Sequence, residues 1–347
     1  TVDGTALTAV ATDAAGNTGT SSSITYVIDD TAPSATVAFA TADATTNASE
    51  VGHVSLILSS VSSDAASVSV SIDDAGVDGT DPIVVSASKV GSDWVVGDVD
   101  LSTLTDGTIT ATVTVTDGAG NSGTSTGTMT LDTAAPTAPT VAATYRDNVG
   151  SVTSDTSTAA TTDDTTPVLN IAANITDTVT LYVDGVSVAS TYDSTGTITP
   201  TDAVSVGVHD LRYTLTDAAG NESVQSAALR VTVDTTGPSV SISTTAGTIK
   251  TDDDEVTITG TAEAGATIQL QLDENDITGK TATADANGNW SVSAVTVDGT
   301  ALTAVATDAA GNTGASSAIT HVIDDAAPTA TVAFATADAT TNASEVG

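Results

Sequence analysis

The chain repeats itself, and this repetition limits what it can fold into. Residues 1–52 return as residues 296–347 with only five substitutions, at an offset of 295 residues. A shorter motif, D-A/G-A-G-N, recurs within that period at Asp13–Asn17, Asp117–Asn121, Asp217–Asn221 and Asp308–Asn312. Its steps of 104, 100 and 91 residues together equal the long offset. The long repeat therefore contains three units of about 100 residues, each the size of a small domain.

A second marker begins 15 to 17 residues after the aspartate of each D-x-A-G-N motif. It consists of Asp, a short Thr- and Ala-rich stretch and Pro, and it recurs at Asp29–Pro33, Asp132–Pro136, Asp234–Pro238 and Asp324–Pro328. Because proline has no N–H to donate, it ends β-pairing, and these stretches are predicted to be linkers. The predicted complete domains are residues 33–132, 136–234 and 238–324. Residues 1–30 and 328–347 are predicted to be the last and first parts of further domains.

The pattern between the markers is typical of β-strands. In ITATVTVTD the apolar residues Ile109, Ala111, Val113 and Val115 alternate with threonine, the period of a strand with one buried face. No segment shows a capped apolar period of 3.6 residues. About seven short strands in about 100 residues favour an Ig-like β-sandwich, although the Cys and Trp hallmarks of antibody domains are missing. The predicted fold is all-β, with tandem Ig-like β-sandwich domains arranged end to end.

The charge of the chain restricts its partners. It has 44 acidic and 6 basic residues, a formal net charge of −38. This argues against binding to nucleic acid or to anionic membranes, which attract lysine and arginine, and it favours a cation. No apolar stretch approaches the roughly 18 residues of a membrane span, so direct membrane insertion is not expected. The three histidines are scattered in sequence and predict neither a Ser-His-Asp triad nor a zinc site.

The two markers predict where carboxylates converge. In an Ig-like sandwich the incoming linker lies at the same end as the B–C loop and the F–G loop, and D-x-A-G-N occupies the F–G loop. This predicts three groups: Asp29 and Asp30 with Asp117 and Asp64, Asp132 with Asp217 and Asp177, and Asp234 with Asp308 and Glu263. Ca2+ takes six to eight oxygen ligands, which carboxylates and carbonyls supply. The alternative is that D-x-A-G-N is only a hairpin turn, in which Asp accepts main-chain N–H groups and Gly supplies a positive φ.

Longer stretches of the chain resemble a known family. The segment VTITGTAEAGATIQLQLD, with the later ADANGNWSVS, LTAVATDAAGN and HVID, is similar to the bacterial Ig-like (Big) repeats of giant RTX-type adhesins and biofilm-associated proteins. The middle domain resembles a sister subtype through YRDNVGSVTSD and GVHDLRYTLTDAAGNES. The resemblance implies type I secretion, an extracellular location at the bacterial cell surface, and Ca2+ at domain junctions. It also implies Ca2+ binding by Asp147, Asp163 and Asp164, and by Asp252, Asp253 and Asp254.

These observations predict a structural extender, or stalk, within a large secreted adhesin. Its partners are the neighbouring Ig-like domains of the same chain, its cofactor is Ca2+, and no catalysis is expected. Asp132 is the lone acidic residue of its linker, so its carboxylate is predicted to bridge that junction. The alternative function is a module that binds carbohydrate or a cell surface. The loop at 71–82 is the candidate for it, although it lacks aromatic residues, and its Asp73, Asp74, Asp78 and Asp81 are expected to be solvated.

Overall fold

The fold was derived from a computed structural model, which describes residue 4 and residues 6–41, 44–76, 82–249, 255–296, 301–323 and 326–333. Every regular element in these ranges is a β-strand. The same ranges contain no helix with the length and hydropathy to cross a membrane. The chain divides into two compact units, one of Thr1–Thr140, Asn174–Thr180 and Tyr213–Ser226, and one of Val141–Ala173, Leu181–Arg212 and Ala227–Gly347. The prediction of an all-β chain is confirmed.

The first four strands are short and exposed. They are β1 (Ala6–Leu7), β2 (Val10–Thr12), β3 (Thr18–Thr20) and β4 (Ile24–Thr25), with β2 paired to β3 and β1 paired to β4. Leu7 is 51% exposed, whereas Leu302, its counterpart in the repeat, is fully buried. The same sequence therefore lies at the surface in one copy and in a hydrophobic core in the other.

The next nine strands enclose one hydrophobic core between Ala35 and Leu131. One sheet has the order β6-β13-β12-β8-β9, β5 pairs with β7, and β10 pairs with β11. Ile109, Ala111, Val113 and Val115 are fully buried, so the strand predicted from their alternation is confirmed. The strands are β5 (Thr36–Phe39), β6 (Thr45–Thr46), β7 (Leu56–Ser59), β8 (Ala65–Asp73), β9 (Ile83–Ser86), β10 (Ser88–Val90), β11 (Asp93–Val95), β12 (Gly107–Asp117) and β13 (Ser122–Leu131).

The following strands form two five-stranded sheets, with the orders β15-β14-β17-β21-β20 and β16-β23-β22-β18-β19. Buried residues of this region include Leu169, Ile198 and Val231. The strands are β14 (Thr144–Asp147), β15 (Ser154–Ser157), β16 (Thr161–Thr162), β17 (Val168–Asn170), β18 (Thr178–Val183), β19 (Val186–Val188), β20 (Ser190–Asp193), β21 (Thr197–Pro200), β22 (Gly207–Thr216) and β23 (Leu229–Val233).

The last strands enclose a second hydrophobic core, which includes Ile268, Leu270 and Trp290. One sheet has the order β24-β26-β29; the other has the order β25-β32-β30-β27-β28, with β31 also paired to β30. The strands are β24 (Val240–Ile242), β25 (Gly247–Ile249), β26 (Glu255–Ala262), β27 (Thr267–Leu272), β28 (Asn275–Thr283), β29 (Asn289–Thr296), β30 (Ala301–Thr307), β31 (Thr313–Ala315) and β32 (Ile319–Ile323).

A short parallel strand recurs in these three regions. The strand β6 pairs with β13, β16 pairs with β23, and β25 pairs with β32. Because the pairing is parallel, the residue after the short strand emerges beside the residue after the last strand. The N–H of Asp132 accordingly donates to the Thr46 carbonyl at 3.0 Å, and that of Asp234 to the Thr162 carbonyl at 2.9 Å. This pairing places residues 47–48 and 163–164 next to the outgoing linkers.

Candidate metal sites at the linkers

The D-x-A-G-N motif forms a tight turn closed by its own aspartate. Asp117 Oδ1 accepts N–H groups of Ala119, Gly120 and Asn121 at 2.7–2.9 Å, and its Oδ2 accepts the Asn121 side-chain amide at 2.8 Å. Gly120 has a φ of +97°, which favours glycine. Burial acts to raise the pKa of Asp117, but these hydrogen bonds outweigh it, and the pKa is lowered overall. The carboxylate is thus kept charged, and the motif has the hairpin-turn role that was the alternative to metal binding.

The asparagine of the turn also holds the incoming linker. Its side-chain N–H donates to the main-chain carbonyl of the linker aspartate in three places. The pairs are Asn121 with Asp29 at 3.0 Å, Asn221 with Asp132 at 2.8 Å, and Asn312 with Asp234 at 2.8 Å. Linker and turn are therefore adjacent at all three junctions, as the sequence predicts, but the bond uses the main chain of the linker residue.

The first linker brings three carboxylates together. Asp29, Asp64 and Asp117 each contribute one oxygen, and these oxygens lie within 4.8 Å of one another. Two oxygens bound to one Ca2+ at about 2.3–2.6 Å can be at most about 5 Å apart, so the spacing fits that ion. Asp117 is 4% exposed, whereas Asp29 and Asp64 are exposed. Asp30 does not belong to the group.

The carboxylates at the middle linker are arranged differently. In the part of the chain that the structure describes, Asp132, Asp177 and Asp217 do not form a comparable trio. The Asp132 carboxylate instead accepts the N–H of Ala134 within its own linker, at 3.3 Å. Both Asp217 oxygens accept hydrogen bonds from Asn221. The bond from Asp132 to the turn is made by its main-chain carbonyl, and a bridging role of its carboxylate stays a prediction.

The third linker does not gather its three predicted carboxylates either. Glu263 is exposed, and within the described ranges Asp234, Asp308 and Glu263 do not form a trio. Residues from the preceding region lie beside this turn instead. Asp163 donates its N–H to the Ala310 carbonyl at 3.2 Å, and Ser151 donates its Oγ–H to the Gly311 carbonyl at 2.7 Å.

Asp163, beside that turn, is 8% exposed, and two aspartates whose charges act on it are also buried: Asp147 at 4% and Asp164 at 1% exposure. Asp163 Oδ1 and Asp164 Oδ2 are enclosed and have no hydrogen-bond partner. Burial first, then the charges of Asp147, Asp308 and Asp164, raise the pKa of Asp163. Gly150, with a φ of +69°, leaves space for Asp163 Oδ2, which a side chain there would overlap. Within the described ranges Asp147, Asp163 and Asp164 do not form a trio like that of Asp29, Asp64 and Asp117, so the observation that marks this place is the pair of unpartnered buried oxygens.

The ion pairs in the described ranges do not neutralise these groups. They join Arg146 to Asp155, His209 to Asp184, and Arg212 and Arg230 to Asp210. None of these acidic residues is a predicted metal ligand. The candidate carboxylates thus have no basic partner among those pairs.

Some predicted residues lie outside the described ranges. They are Asp252, Asp253 and Asp254, Asp78 and Asp81 in the acidic loop, and most of 328–347. Asp74 lies inside them and is not solvated: it is 2% exposed, and it accepts the N–H groups of Gly76 and Thr105 at 3.1 and 2.9 Å. The expectation of a wholly solvated loop is wrong for this residue, whose carboxylate fastens the start of the loop to Thr105.

The spacing of residues in the sequence does not indicate a histidine contact that occurs in the middle region. His209 Nδ1 lies 2.8 Å from Asp184 Oδ2, and its Nε2 lies 3.3 Å from Ser205 Oγ. A serine, a histidine and an aspartate therefore do lie close together, contrary to what the scattered histidines predict, but their hydrogen bonds are not those of a catalytic triad. Nε2 is nearer to the Ser205 carbonyl, at 2.8 Å. Because a carbonyl only accepts, this nitrogen must donate, and it has no lone pair free to activate the serine. The histidine fastens residue 205 to the β18–β19 turn.

Comparisons with known proteins agree with this architecture. Residues 137–235 match the family described as bacterial Ig-like domain, and residues 244–325 match the family described as bacterial Ig domain. A comparison with curated proteins gives no match.

Solved structures similar to the chain include three from adhesins. One is a Ca2+-stabilised adhesin with which an Antarctic bacterium reaches out and binds ice, at 28% identity over 91% of this chain and 81% of that one, with a TM-score of 0.38. The second belongs to a 1.5-MDa bacterial ice-binding adhesin, at 24% identity, 85% and 100% coverage and a TM-score of 0.31. The third is a tetra-tandem repeat from the extending region of a large adhesion protein, at 22% identity, 83% and 74% coverage and a TM-score of 0.24.

The two matched families together cover just over half of the chain. The region of β5–β13, which neither family model matches, has the same short parallel strand and the same D-x-A-G-N turn as the matched regions. The chain is therefore built of tandem bacterial Ig-like domains, each a β-sandwich.

Proposed function

We propose that this chain is an extender segment of a large secreted bacterial surface adhesin, and that Ca2+ bound at its junctions makes it rigid. The domains proposed are residues 33–132, 136–234 and 238–324, with partial domains at 1–30 and 328–347. The adhesin setting, type I secretion and the cell-surface location follow from the resemblance of the repeats. The proposed role is mechanical, without catalysis.

One observation carries the Ca2+ part of the proposal. Asp29 from a linker, Asp64 from the loop before β8 and Asp117 from the D-x-A-G-N turn place carboxylate oxygens within 4.8 Å of one another. These residues are far apart in sequence, and like charges at this spacing repel unless a cation joins them. A cation there would tie the linker to two loops of the domain that follows. The unpartnered buried oxygens of Asp163 and Asp164 support a second site beside the third junction.

The repetition supports an extender rather than a binding module. A stalk needs length and linkage, and a near-copy of 52 residues adds length without creating a unique surface. A carbohydrate-binding module would use exposed aromatic rings for stacking. Trp290 is 3% exposed within a core, and Trp94 packs against the core of residues 35–131 with Lys89 Nζ 5.6 Å from its ring centre. Both tryptophans are thus used in packing.

Small-angle X-ray scattering of the whole chain tests the mechanical proposal. With Ca2+ at about 1 mM, within the range of extracellular Ca2+ modules, we expect a narrow distribution of maximum dimensions. With excess chelator we expect a broader distribution and a smaller mean of the maximum dimension. Addition of Mg2+ should not restore the scattering profile measured in Ca2+. Identical profiles in Ca2+ and in chelator would overturn the role of Ca2+ in stiffness.

A further inference from the structure

The middle junction has a dense set of hydrogen bonds around Asn221. Its side-chain N–H groups donate to the Asp132 carbonyl at 2.8 Å and to Asp217 Oδ2 at 3.1 Å. Its Oδ1 accepts the N–H of Ala48 at 2.9 Å. One amide side chain therefore joins three segments: the linker, its own turn, and the loop after β6. All its donors and its acceptor are used, and Asn221 is 5% exposed.

The loop after β6 contacts the same turn at a second point. The side-chain N–H of Asn47 donates to the Ala219 carbonyl at 2.9 Å. Its Oδ1 accepts the N–H and the hydroxyl of Ser49 at 2.9 and 2.7 Å. Asn47 therefore shapes its own loop with one end of its amide and contacts the turn with the other.

An equivalent contact occurs at the third junction. Residue 163 follows β16 as residue 47 follows β6, and Ala310 is the third residue of its turn as Ala219 is of the middle turn. The N–H of Asp163 donates to the Ala310 carbonyl. The donor is a main-chain amide here and a side-chain amide at the middle junction. In both cases the acceptor is the carbonyl of the third residue of the turn.

From these contacts we infer that the D-x-A-G-N turn is a docking surface, and that its partner is the loop after the short parallel strand of the preceding domain. The carbonyl of the third turn residue accepts from that loop, while the asparagine holds the linker. At the middle junction we call the bonds from Asn47 to the Ala219 carbonyl and from the Ala48 N–H to Asn221 the latch. The latch joins neutral groups and uses no metal. It keeps residues 33–132 and 136–234 in register when Ca2+ is absent. The inference rests on the proposed interdomain role of the linkers, but not on Ca2+ binding.

Amide hydrogen exchange on the whole chain in excess chelator tests the latch directly. The Ala48 N–H is bonded to Asn221 across the junction, whereas the Val51 N–H is bonded to the Asn47 carbonyl within its own loop, at 3.0 Å. We expect both amides to be protected in the parent. In Asn221→Ala the protection of Ala48 should be lost, and that of Val51 should remain.

Two further variants control this result. Asn47→Asp keeps the acceptor for Ser49 and loses the donor to Ala219, so Ala48 should exchange faster without disruption of its loop. Asn17→Ala removes the bond from Asn17 to Asp13 at 2.9 Å, the equivalent of the bond from Asn221 to Asp217 inside its turn. It should leave the exchange rate of the Ala48 amide unchanged. Fast exchange of Ala48 in the parent, or protection that survives in Asn221→Ala, would overturn the inference.

The same measurement separates the latch from the Ca2+ proposal. If Ca2+ does not alter the scattering profile but Ala48 is protected in chelator, the latch stands and the role of Ca2+ fails. If Ala48 is protected only when Ca2+ is added, the metal-free latch is wrong.

Discussion

A carboxylate oxygen of Asp29 lies within 4.8 Å of a carboxylate oxygen of Asp117, although the two residues are 88 positions apart in sequence. The main-chain carbonyl of Asp29 also accepts a hydrogen bond from Asn121 of the same turn, at 3.0 Å. The neutral bond holds the linker against the turn, and the charges oppose this approach. The junction therefore combines a fixed geometry with an electrostatic cost, which the proposed cation would remove.

Asp29 and Asp30 are neighbours in sequence and provide a matched pair. Asp29→Asn removes one of the three converging carboxylates and should weaken Ca2+ binding at this linker about tenfold, because ligand charge tunes such sites. Asp30→Asn removes the same charge from the chain outside the trio and should leave the affinity unchanged. Ca2+ titrations followed through the amide signals of residues 117–121 measure both. Equal affinities for the two variants would contradict the assignment of Asp29.

Asp163→Asn should have opposite effects with and without Ca2+. In chelator it removes a buried charge that lies among Asp147, Asp164 and Asp308, so the midpoint of thermal unfolding should rise. In Ca2+ it removes a ligand, and the midpoint should fall below that of the parent. Asp202→Asn, at an exposed position, is the control and should change neither value. A variant less stable than the parent in both conditions would indicate that Asp163 has a structural role alone.

The raised pKa of Asp163 also predicts a pH dependence for the chelated protein. The folded state binds this proton more tightly than the unfolded state, whose pKa is near the ordinary 3.8. The contribution of Asp163 to the free energy of unfolding therefore falls as the pH rises from about 3.8 through the raised pKa of the folded state. Urea unfolding of the parent and of Asp163→Asn across that interval measures the difference. A difference that does not change with pH would contradict the burial of a repelled carboxylate.

Gly314 and Gly19 are equivalent in the repeat and differ in surroundings. A Cβ at Gly314 would overlap the carbonyl oxygen of Pro238, whereas a Cβ at Gly19 meets nothing within 4 Å. Gly314→Ala should therefore lower the free energy of unfolding by about 1–3 kcal/mol, typical of an overpacked contact. Gly19→Ala should have little effect. Urea unfolding of the two variants gives the comparison, and equal stabilities would mean that the linker can move away from the strand.

The sequence predicted the strands in which apolar and polar residues alternate over several positions. The alternation at Ile109–Val115 spans several residues on one face, so it identifies the strand without knowledge of the rest. The strands β6, β16 and β25 have only two or three residues each and contain no measurable period. They are defined by pairing with a distant last strand, which is a tertiary effect.

The candidate site was predictable where topology alone determines it. Asp29, Asp64 and Asp117 converge because the linker and two loops share one end of a sandwich. The role of Asn221 at the junction was missed because its partners outside its own turn are main-chain groups, the Asp132 carbonyl and the Ala48 N–H, which leave no signal in residue type. His209 was missed because its contacts depend on the turn at Asp184, and the spacing of the residues in sequence does not indicate it.

Differential scanning calorimetry of the whole chain, in Ca2+ and in excess chelator, tests the central claim most directly. Ca2+ that binds the folded state alone stabilises it by RT ln(1 + [L]/Kd), about 2.7 kcal/mol per site at 100 times Kd. We predict a higher unfolding midpoint in Ca2+, a smaller gain in Asp29→Asn, and no comparable gain with Mg2+. An unfolding profile that is the same in Ca2+ and in chelator would contradict the account.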